Sequence, residues 1–278
     1  MNQPAHFSAD AANLAPGLLI DVGNTRIKWA VAAPGAPLGI WQAQGLLAHT
    51  LDQAAVQAAA KQWQAAKVGV AWIANVAGSI LQAQLQASLQ QALGPDLAVN
   101  WFASSAFAAG LRNGYSEPSR LGCDRFAAAI AARARYPQQA ILVANCGTAT
   151  TLDAISPDGV FMGGMILPGL GTMATSLNRQ TAQLPDVDYA RQHPQQFLPQ
   201  LALNTDSAIM SGCIAAQIGA IGQGLSLLRA RFGDALCILS GGAAPIIGAA
   251  LLEPHQVLDG LVLQGLQVLA GLNARQPG

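Results

Sequence analysis

The sequence predicts an α/β protein that is built from a duplicated unit. Strand-like apolar runs alternate with helical segments rich in alanine and glutamine over most of the 278 residues, which is the pattern of an α/β protein. Residues 18–31 and 141–155 also share one pattern: an apolar strand, a polar residue, a turn containing glycine and a second strand. Because each half of the chain holds one such unit, we expect two related domains whose turns face a shared cleft.

The first unit ends its opening strand at Asp21 and turns at Gly23 and Asn24. Both turn residues tolerate a positive φ, which suits a hairpin. A carboxylate at a strand tip, beside a turn with exposed N–H groups, can hold a phosphate and its Mg²⁺. An ordinary hairpin with a polar tip would produce the same pattern, so this unit alone leaves both interpretations open.

The second unit favours the functional interpretation. Gly147 falls where Gly23 does in the first copy, and Asn145 falls where Asp21 does. A backbone turn at 147–149 could therefore offer N–H groups to the same phosphates.

The strands and helices between and after these units follow the α/β alternation. We predict strands at 38–41, 68–74, 97–102, 151–155, 160–166 and 236–239, with helices at 54–66, 80–93, 126–134, from about 170 to 178, 204–229 and up to about 272. Gly94-Pro95 is a typical helix terminator, and the glycines of the 204–229 helix could allow close helix packing. The Gly241-Gly242 turn would let a flat ligand or a phosphate approach the backbone.

The composition restricts the function classes. The chain is 52% hydrophobic and 10% charged with zero net charge, so it has no electrostatic footprint for nucleic acid or an anionic membrane. The four cysteines show no CxxC spacing, which indicates reduced thiols in a cytoplasmic protein. Residues 1–17 resemble a loose extension and not a signal peptide. The long apolar stretch at 161–177 is interrupted by glycine and proline, so we expect a soluble protein.

Asp124 and Arg125 stand where a polar, irregular segment meets an alanine-rich helix. An acidic residue in a first helical turn commonly caps the helix and complements its dipole. The residues alone do not separate that structural role from a catalytic one.

Three motifs in this order resemble the type III pantothenate kinases, which belong to the actin-like superfamily with ribonuclease H-like domains. The motifs are Asp21-Val22-Gly23-Asn24-Thr25, Gly122-Cys123-Asp124-Arg125 and Gly147-Thr148-Ala149-Thr150-Thr151. The resemblance runs from about residue 18 to about residue 272. It implies two actin-like domains, 18–120 and 121–278, with a nucleotide cleft between them. It also implies ATP-dependent phosphorylation of pantothenate to 4′-phosphopantothenate, the first step of coenzyme A biosynthesis.

The resemblance also implies roles for individual residues. Asp124 would be the general base, and a helix N-terminus should keep its carboxylate ionised. ATP and its Mg²⁺ would contact Asp21, Val22, Gly23, Asn24, Thr25, Arg26, Ile27, Lys28 and Thr148. Pantothenate would contact Tyr115, Gly122, Cys123, Asp124, Arg125 and Thr181, with Arg125 pairing with the substrate carboxylate. Lys28 could instead be a solvated strand residue, and both interpretations stay open.

Asn145 departs from the family pattern. Relatives usually have Asp at this position, which is associated with a bound monovalent cation, K⁺ or NH₄⁺. An amide keeps a coordinating oxygen but loses the charge, so we expect weakened cation binding here.

The family implies a homodimer with the pantothenate pocket near the interface. The helices after Gly122 and Asn204 carry too few charged residues for fully exposed faces, which agrees with a dimer. Two other functions remain compatible with the sequence: a kinase for another hydroxyl or carboxylate acceptor, and a nucleotide-binding regulator that has lost catalysis.

Overall fold

The computed structural model describes residues 15–180 and 198–271. The strands are β1 (Gly17–Val22), β2 (Ile27–Ala32), β3 (Ala43–Leu47), β4 (Val70–Asn75), β5 (Ala98–Phe102), β6 (Phe107–Ala108), β7 (Leu111–Asn113), β8 (Ile141–Cys146), β9 (Ala149–Ile155), β10 (Val160–Pro168), β11 (Leu236–Ser240) and β12 (His255–Val257). The helices are α1 (Gln53–Ala65), α2 (Ser79–Leu93), α3 (Cys123–Arg135), α4 (Leu170–Gln180), α5 (Thr205–Phe232), α6 (Ala244–Ala250) and α7 (Leu261–Leu269).

The described residues form two compact units, which we call unit 1 and unit 2. Unit 1 contains residues 15–103, 122–127 and 262–271, and unit 2 contains 104–121, 128–180 and 198–261. Each unit is therefore assembled from more than one stretch of chain. The predicted domain boundaries, 18–120 and 121–278, stay a prediction.

The two sheets repeat one topology. Unit 1 holds a five-stranded sheet in the order β3-β2-β1-β4-β5, and unit 2 holds a seven-stranded sheet that contains the matching run β10-β9-β8-β11-β12. In both sheets the first strand pairs antiparallel with the next strand and parallel with the strand after a helical crossover. β7 and β6 extend only the second sheet. The duplication predicted from residues 18–31 and 141–155 is thus a duplication of whole sheets.

Each sheet is covered by helices whose apolar faces the sequence predicts. In unit 1, Trp63 of α1 packs edge-on against Trp29 of β2, with ring centroids 5.6 Å apart. Leu81, Leu85 and Leu89 of α2 are buried at a spacing of one turn. These contacts stabilise the first sheet. The polar residues of the candidate site lie at the ends of its strands.

The predicted strand at 38–41 is wrong. The third strand is β3, whose Leu47 is the register partner of Ile27. Residues 38–41 instead lie in turns, and Gly39 adopts a φ of +85°. The fully buried side chain of Gln267 in α7 accepts a hydrogen bond from Gly39 N at 3.1 Å and donates one to Ala36 O at 3.2 Å. A distant amide therefore satisfies the backbone that a strand partner would otherwise satisfy.

α5 is the helix, among the residues described, that is long and apolar enough to cross a membrane, with a mean hydropathy of 1.3 over its best window. Its residues Ile214, Ile221 and Leu225 are completely buried in unit 2. A Cβ at Gly224 would lie 3.0 Å from a methyl carbon of Leu142 in β8, so this glycine lets the helix approach the sheet closely. α5 thus packs as the core helix of a soluble protein does. The other α5 glycines have open space where a Cβ would be.

Candidate active site

The carboxyl ends of β1 and β4 form one edge of the first sheet. The two strands are parallel neighbours, and Val22 is the register partner of Asn75. Asp21 lies one residue before the end of β1, directly opposite Lys28 of β2. Because partners across an antiparallel pair share a face of the sheet, the carboxylate and the ammonium lie on the same side.

A four-residue turn, Gly23 to Arg26, connects β1 to β2. Gly23 N donates to Arg26 O at 3.3 Å, and a Cβ at Gly23 would lie 3.5 Å from that same oxygen. Asn24, Thr25 and Arg26 are exposed. Three residues of the turn that follows Asp21 are therefore open to solvent.

The start of α3 meets the same edge. Cys123 Sγ donates to Asn75 O at 3.5 Å, which places the first residue of the helix against the end of β4. Asp124 Oδ1 accepts a hydrogen bond from Arg125 N at 2.8 Å. A Cβ at Gly122 would lie only 2.6 Å from that Oδ1, so glycine is required for the carboxylate to lie back over the chain. The structure therefore brings the first and second motifs together within unit 1.

Burial raises the pKa of both carboxylates, and charge repulsion adds to the rise at Asp21. The pKa of Asp21 is raised to about 7, chiefly by burial and then by the negative charge of Asp124, while Lys28 opposes the rise. The pKa of Asp124 is also raised by burial, and the hydrogen bond from Arg125 N opposes that rise. This direction is opposite to the effect of a helix N-terminus, and the expectation that Asp124 is ionised at neutral pH stays a prediction. Desolvation outweighs the helix dipole because the carboxylate is withdrawn from water.

Cys123 does not contribute a nucleophile. Burial and the nearby Asp124 raise the pKa of its thiol to about 11, so it stays protonated at neutral pH. Its observed role is the contact with Asn75.

This arrangement can serve phosphoryl transfer. Two partly desolvated carboxylates repel each other and favour a cation between them and a phosphate. Carboxylate oxygens are the ligands that Mg²⁺ prefers, so Asp21 suits a magnesium ion carried by a nucleotide. A carboxylate whose pKa is raised toward neutrality, as that of Asp124 is, makes a better general base than an unperturbed one.

The corresponding turn of unit 2 lies between β8 and β9. Gly147 N donates to Ala149 O at 3.0 Å, and Thr148 O accepts from Gly169 N at 2.9 Å and from Thr172 Oγ1 at 2.7 Å. A Cβ at Gly169 would lie 2.0 Å from Gly147 O. The start of α4 thus packs directly against this turn, and only glycine permits that approach.

Asn145 lies beside the Gly241 turn. A Cβ at Gly241 would be 2.8 Å from Asn145 Oδ1 and 2.6 Å from Cys146 O, and Gly241 adopts a φ of +90°. Within residues 15–180 and 198–271, no group of three or more His, Cys, Asp or Glu side chains could hold a metal. Weakened binding of a monovalent cation at Asn145 stays a prediction.

Tyr115 lies in unit 2, and its ring packs against Phe161 with centroids 5.7 Å apart. Asn113 holds the loop that carries it. This buried amide donates to Ser105 O at 3.2 Å and to Pro118 O at 3.0 Å, and it accepts from Tyr115 N at 3.0 Å. The sequence analysis missed Asn113, because an amide in an irregular segment carries no distinctive pattern.

The remaining predicted residues are placed as follows. Arg125 is 7% exposed in the first turn of α3, Thr148 is exposed in its turn, and Thr181 lies outside the described residues. The sequence analysis also missed His49, whose Nε2 lies 2.7 Å from Gly23 O.

Solved structures with low sequence identity share this fold. A ROK family glucokinase from Streptomyces griseus, in complex with glucose and AMPPNP, aligns with a TM-score of 0.51 at 15% identity, covering 91% of this chain and 98% of the other. MreB5 of Spiroplasma citri bound to ADP aligns with a TM-score of 0.51 at 10% identity, covering 91% and 95%. The fold is therefore the duplicated actin-like fold.

Sequence relatives are much more similar. The type III pantothenate kinase of Janthinobacterium sp. (strain Marseille) is 45% identical over 259 residues, covering 91% of this chain and 96% of its own. That of Herminiimonas arsenicoxydans is 43% identical over 258 residues, with the same coverage. The sequence profile of the type III pantothenate kinase family matches residues 17–226. With the repeated sheets and the carboxylates of Asp21 at the end of β1 and Asp124 at the start of α3, these matches establish that the chain belongs to the type III pantothenate kinase family.

Proposed function

We propose that this protein transfers the γ-phosphoryl group of ATP to the primary hydroxyl of pantothenate. The product is 4′-phosphopantothenate, and the reaction is the first step of coenzyme A biosynthesis. The observation that carries the proposal is the pairing of Asp21 and Asp124, two carboxylates with raised pKa values beside an exposed backbone turn. The family to which the chain belongs supports the same reaction.

The first turn would bind the nucleotide. Phosphoryl transfer depends mainly on positioning and on charge neutralisation, because its transition state is loose. The N–H groups of Asn24 and Thr25 would contact the phosphates, Gly23 would shape the turn through its hydrogen bond to Arg26 O, and Asp21 would direct Mg²⁺, which supplies the neutralising charge. Lys28 is half-buried opposite Asp21, and this placement favours a role near phosphate over a purely solvated one. Val22, Arg26 and Ile27 would support the turn, and Thr148 would contact ATP.

The start of α3 would bind and activate the acceptor. A carboxylate oxygen of Asp124 would accept the proton of the attacking hydroxyl, and its raised pKa improves it as a base. Arg125 would pair with the carboxylate of pantothenate. Gly122, Cys123, Tyr115 and Thr181 would complete the pocket.

The test is a coupled ADP-release assay with and without pantothenate, together with glucose and acetate as competing acceptors. We expect release to require pantothenate. Release with another acceptor alone would indicate a different kinase, and binding of nucleotide without release would indicate a regulator.

The role of Asp124 is tested by substitution. Asp124→Asn should lower kcat roughly 10²-fold or more while leaving the fold intact, because general-base catalysis typically contributes that much. Glu117→Gln is the matched control, since this carboxylate is 66% exposed and pairs with exposed Arg120. A near-wild-type kcat for Asp124→Asn would leave Asp124 as a helix cap.

The proposal includes a homodimer in the cytoplasm and a weakly held monovalent cation, K⁺ or NH₄⁺, near Asn145. With the pantothenate pocket near the subunit interface, dilution to monomers should reduce activity. Light scattering that finds an active monomer at assay concentration would contradict the dimer.

A further inference from the structure

His49 contacts the Gly23 carbonyl in the turn that joins β1 to β2. The residue follows β3, is half-buried, and places Nε2 at 2.7 Å from Gly23 O. A carbonyl oxygen can only accept a hydrogen bond, so Nε2 must carry the proton and donate it. At 2.7 Å this bond is shorter than the 3.3 Å hydrogen bond from Gly23 N to Arg26 O that closes the turn.

The backbone around His49 is braced. β3 pairs with β2 through Leu47 and Ile27, so the chain leaving β3 runs alongside the Gly23 turn. Leu51 N then donates to Ala48 O at 3.0 Å, and Asp52 caps α1 by accepting from Ala55 N at 3.0 Å. The imidazole therefore projects from a rigid support between a strand and a helix.

Holding the Gly23 carbonyl also fixes the next N–H group. The carbonyl of Gly23 and the N–H of Asn24 belong to one planar trans peptide, in which they point in opposite directions. When His49 holds the oxygen on one side, Asn24 N–H must point to the other side. Asn24 is exposed, and its N–H has no hydrogen bond within the part of the chain that the structure describes.

We propose that His49 is a positioning residue for the nucleotide: through Gly23 it orients the Asn24 N–H toward phosphate. The inference rests on the proposed nucleotide role of the Gly23 turn. His49 itself touches no reacting atom. Its contribution is to remove the freedom of one peptide plane before the nucleotide arrives, which lowers the cost of binding.

The test compares two amides at position 49. In His49→Gln the side-chain nitrogen can reach the place of imidazole Nε2 and donate. In His49→Asn the amide nitrogen reaches only the place of Nδ1 and cannot contact Gly23 O. Both variants stay polar, so a difference between them reports the hydrogen bond. His255→Asn is the control for the same replacement in unit 2, because this histidine bonds Glu253 O through Nδ1 at 2.8 Å and the amide nitrogen of asparagine can keep that bond.

We expect His49→Asn to raise KM for ATP roughly 3- to 10-fold, the usual effect of one hydrogen bond, with His49→Gln and His255→Asn within about 2-fold of wild type. KM for pantothenate should be unchanged in all three variants. Calorimetry with a non-hydrolysable ATP analogue and Mg²⁺, without pantothenate, should show the same ranking of affinities.

The outcomes separate this inference from the proposed function. If wild type binds the analogue and His49→Asn binds it equally well, His49 does not position the turn. Equal increases in KM for ATP and pantothenate would also overturn the inference, because they would indicate general damage. If wild type binds no nucleotide, the nucleotide role of the turn fails, and the inference fails with it.

Discussion

The two strand–turn–strand units occupy equivalent places in their sheets but are stabilised differently. The Gly23 turn has a charged strand end, Asp21, and a side chain, His49, that holds its carbonyl. The Gly147 turn has a neutral strand end, Asn145, and is held by the backbone of Gly169. One copy of the repeat therefore concentrates charge, whereas the other is fixed by close backbone packing.

The local geometry of the two turns is nevertheless alike. A Cβ at Gly23 or at Gly147 would lie 3.5 Å from a carbonyl oxygen of its own turn, and both N–H groups close the turn. The backbone repeat has been kept while the charges have diverged. This difference predicts unequal responses to equivalent substitutions.

The largest expected difference concerns the strand ends. Asp21→Asn should lower kcat/KM roughly 10²-fold or more, because the carboxylate proposed to direct Mg²⁺ is lost and metal neutralisation contributes several kcal/mol. Asn145→Ser at the equivalent position should cost less than about 10-fold, since it removes only a neutral ligand. Steady-state kinetics at saturating Mg²⁺ would measure both variants. Equal losses of kcat/KM would contradict different roles for the two strand ends.

The next difference concerns the glycines that permit each turn. Gly169→Ala places a methyl group 2.0 Å from Gly147 O and should lower the free energy of unfolding by about 1–3 kcal/mol, as overpacking does. Gly23→Ala meets nothing closer than 3.5 Å and should change it by less than about 1 kcal/mol. Urea unfolding of the ligand-free protein would measure both. Equal destabilisation would mean that the second turn is not held by backbone contact.

A third difference appears in pH dependence. From pH about 4 to about 7 the folded protein retains a proton on Asp21 that the unfolded chain has released, so stability falls as pH rises through this range. The raised pKa of Asp124 acts in the same direction. We expect a loss on the order of a few kcal/mol at most, and stability levels off above pH about 7.

Asp21→Asn should remove most of this slope, whereas Asn145→Ser should not change it, because position 145 carries no titrating group. Thermal unfolding of the ligand-free protein at several pH values would show this. A wild-type stability that rises with pH between 4 and 7 would contradict the raised pKa values.

The smallest expected effect concerns the monovalent cation. A carboxylate in contact with K⁺ contributes about 1–4 kcal/mol at about 4 Å, depending on the effective dielectric, and an amide contributes much less. We therefore expect weak K⁺ activation of wild type and a stronger response in Asn145→Asp. A KCl titration against choline chloride at fixed ionic strength tests this. Strong saturable activation that is identical in both proteins would show that residue 145 does not control the site.

Local sequence pattern was sufficient to predict many of the strands and helices. The apolar strands ending at Asp21 and Asn145, the helix that begins at the Gly122 motif and the repeat itself were predicted, because each depends on residues that are close in sequence. Strand alternation and turn residues report local conformation directly. The three motifs were enough to identify the family, which the relatives confirm.

Tertiary structure decided what depends on distant partners. The segment at 38–41 resembles a strand, but Gln267, which is 228 residues away from Gly39, holds it in turns. The contact between His49 and Gly23 spans 26 residues, and the contact between Cys123 and Asn75 spans 48. No local pattern specifies such pairs.

The pKa shifts of the carboxylates at the site likewise depend on the fold and could not be predicted from the sequence. In the sequence Asp124 is an acidic residue at a helix start, and the helix dipole alone predicts an ionised carboxylate. Folding withdraws Asp124 from water, which raises its pKa, and the charge of Asp124 adds to the effect of burial on the pKa of Asp21. The sequence by itself determined which groups are present and which turns carry them. Their protonation was decided by the tertiary structure, because desolvation and charge repulsion depend on every atom that surrounds a group and not on its neighbours in the chain.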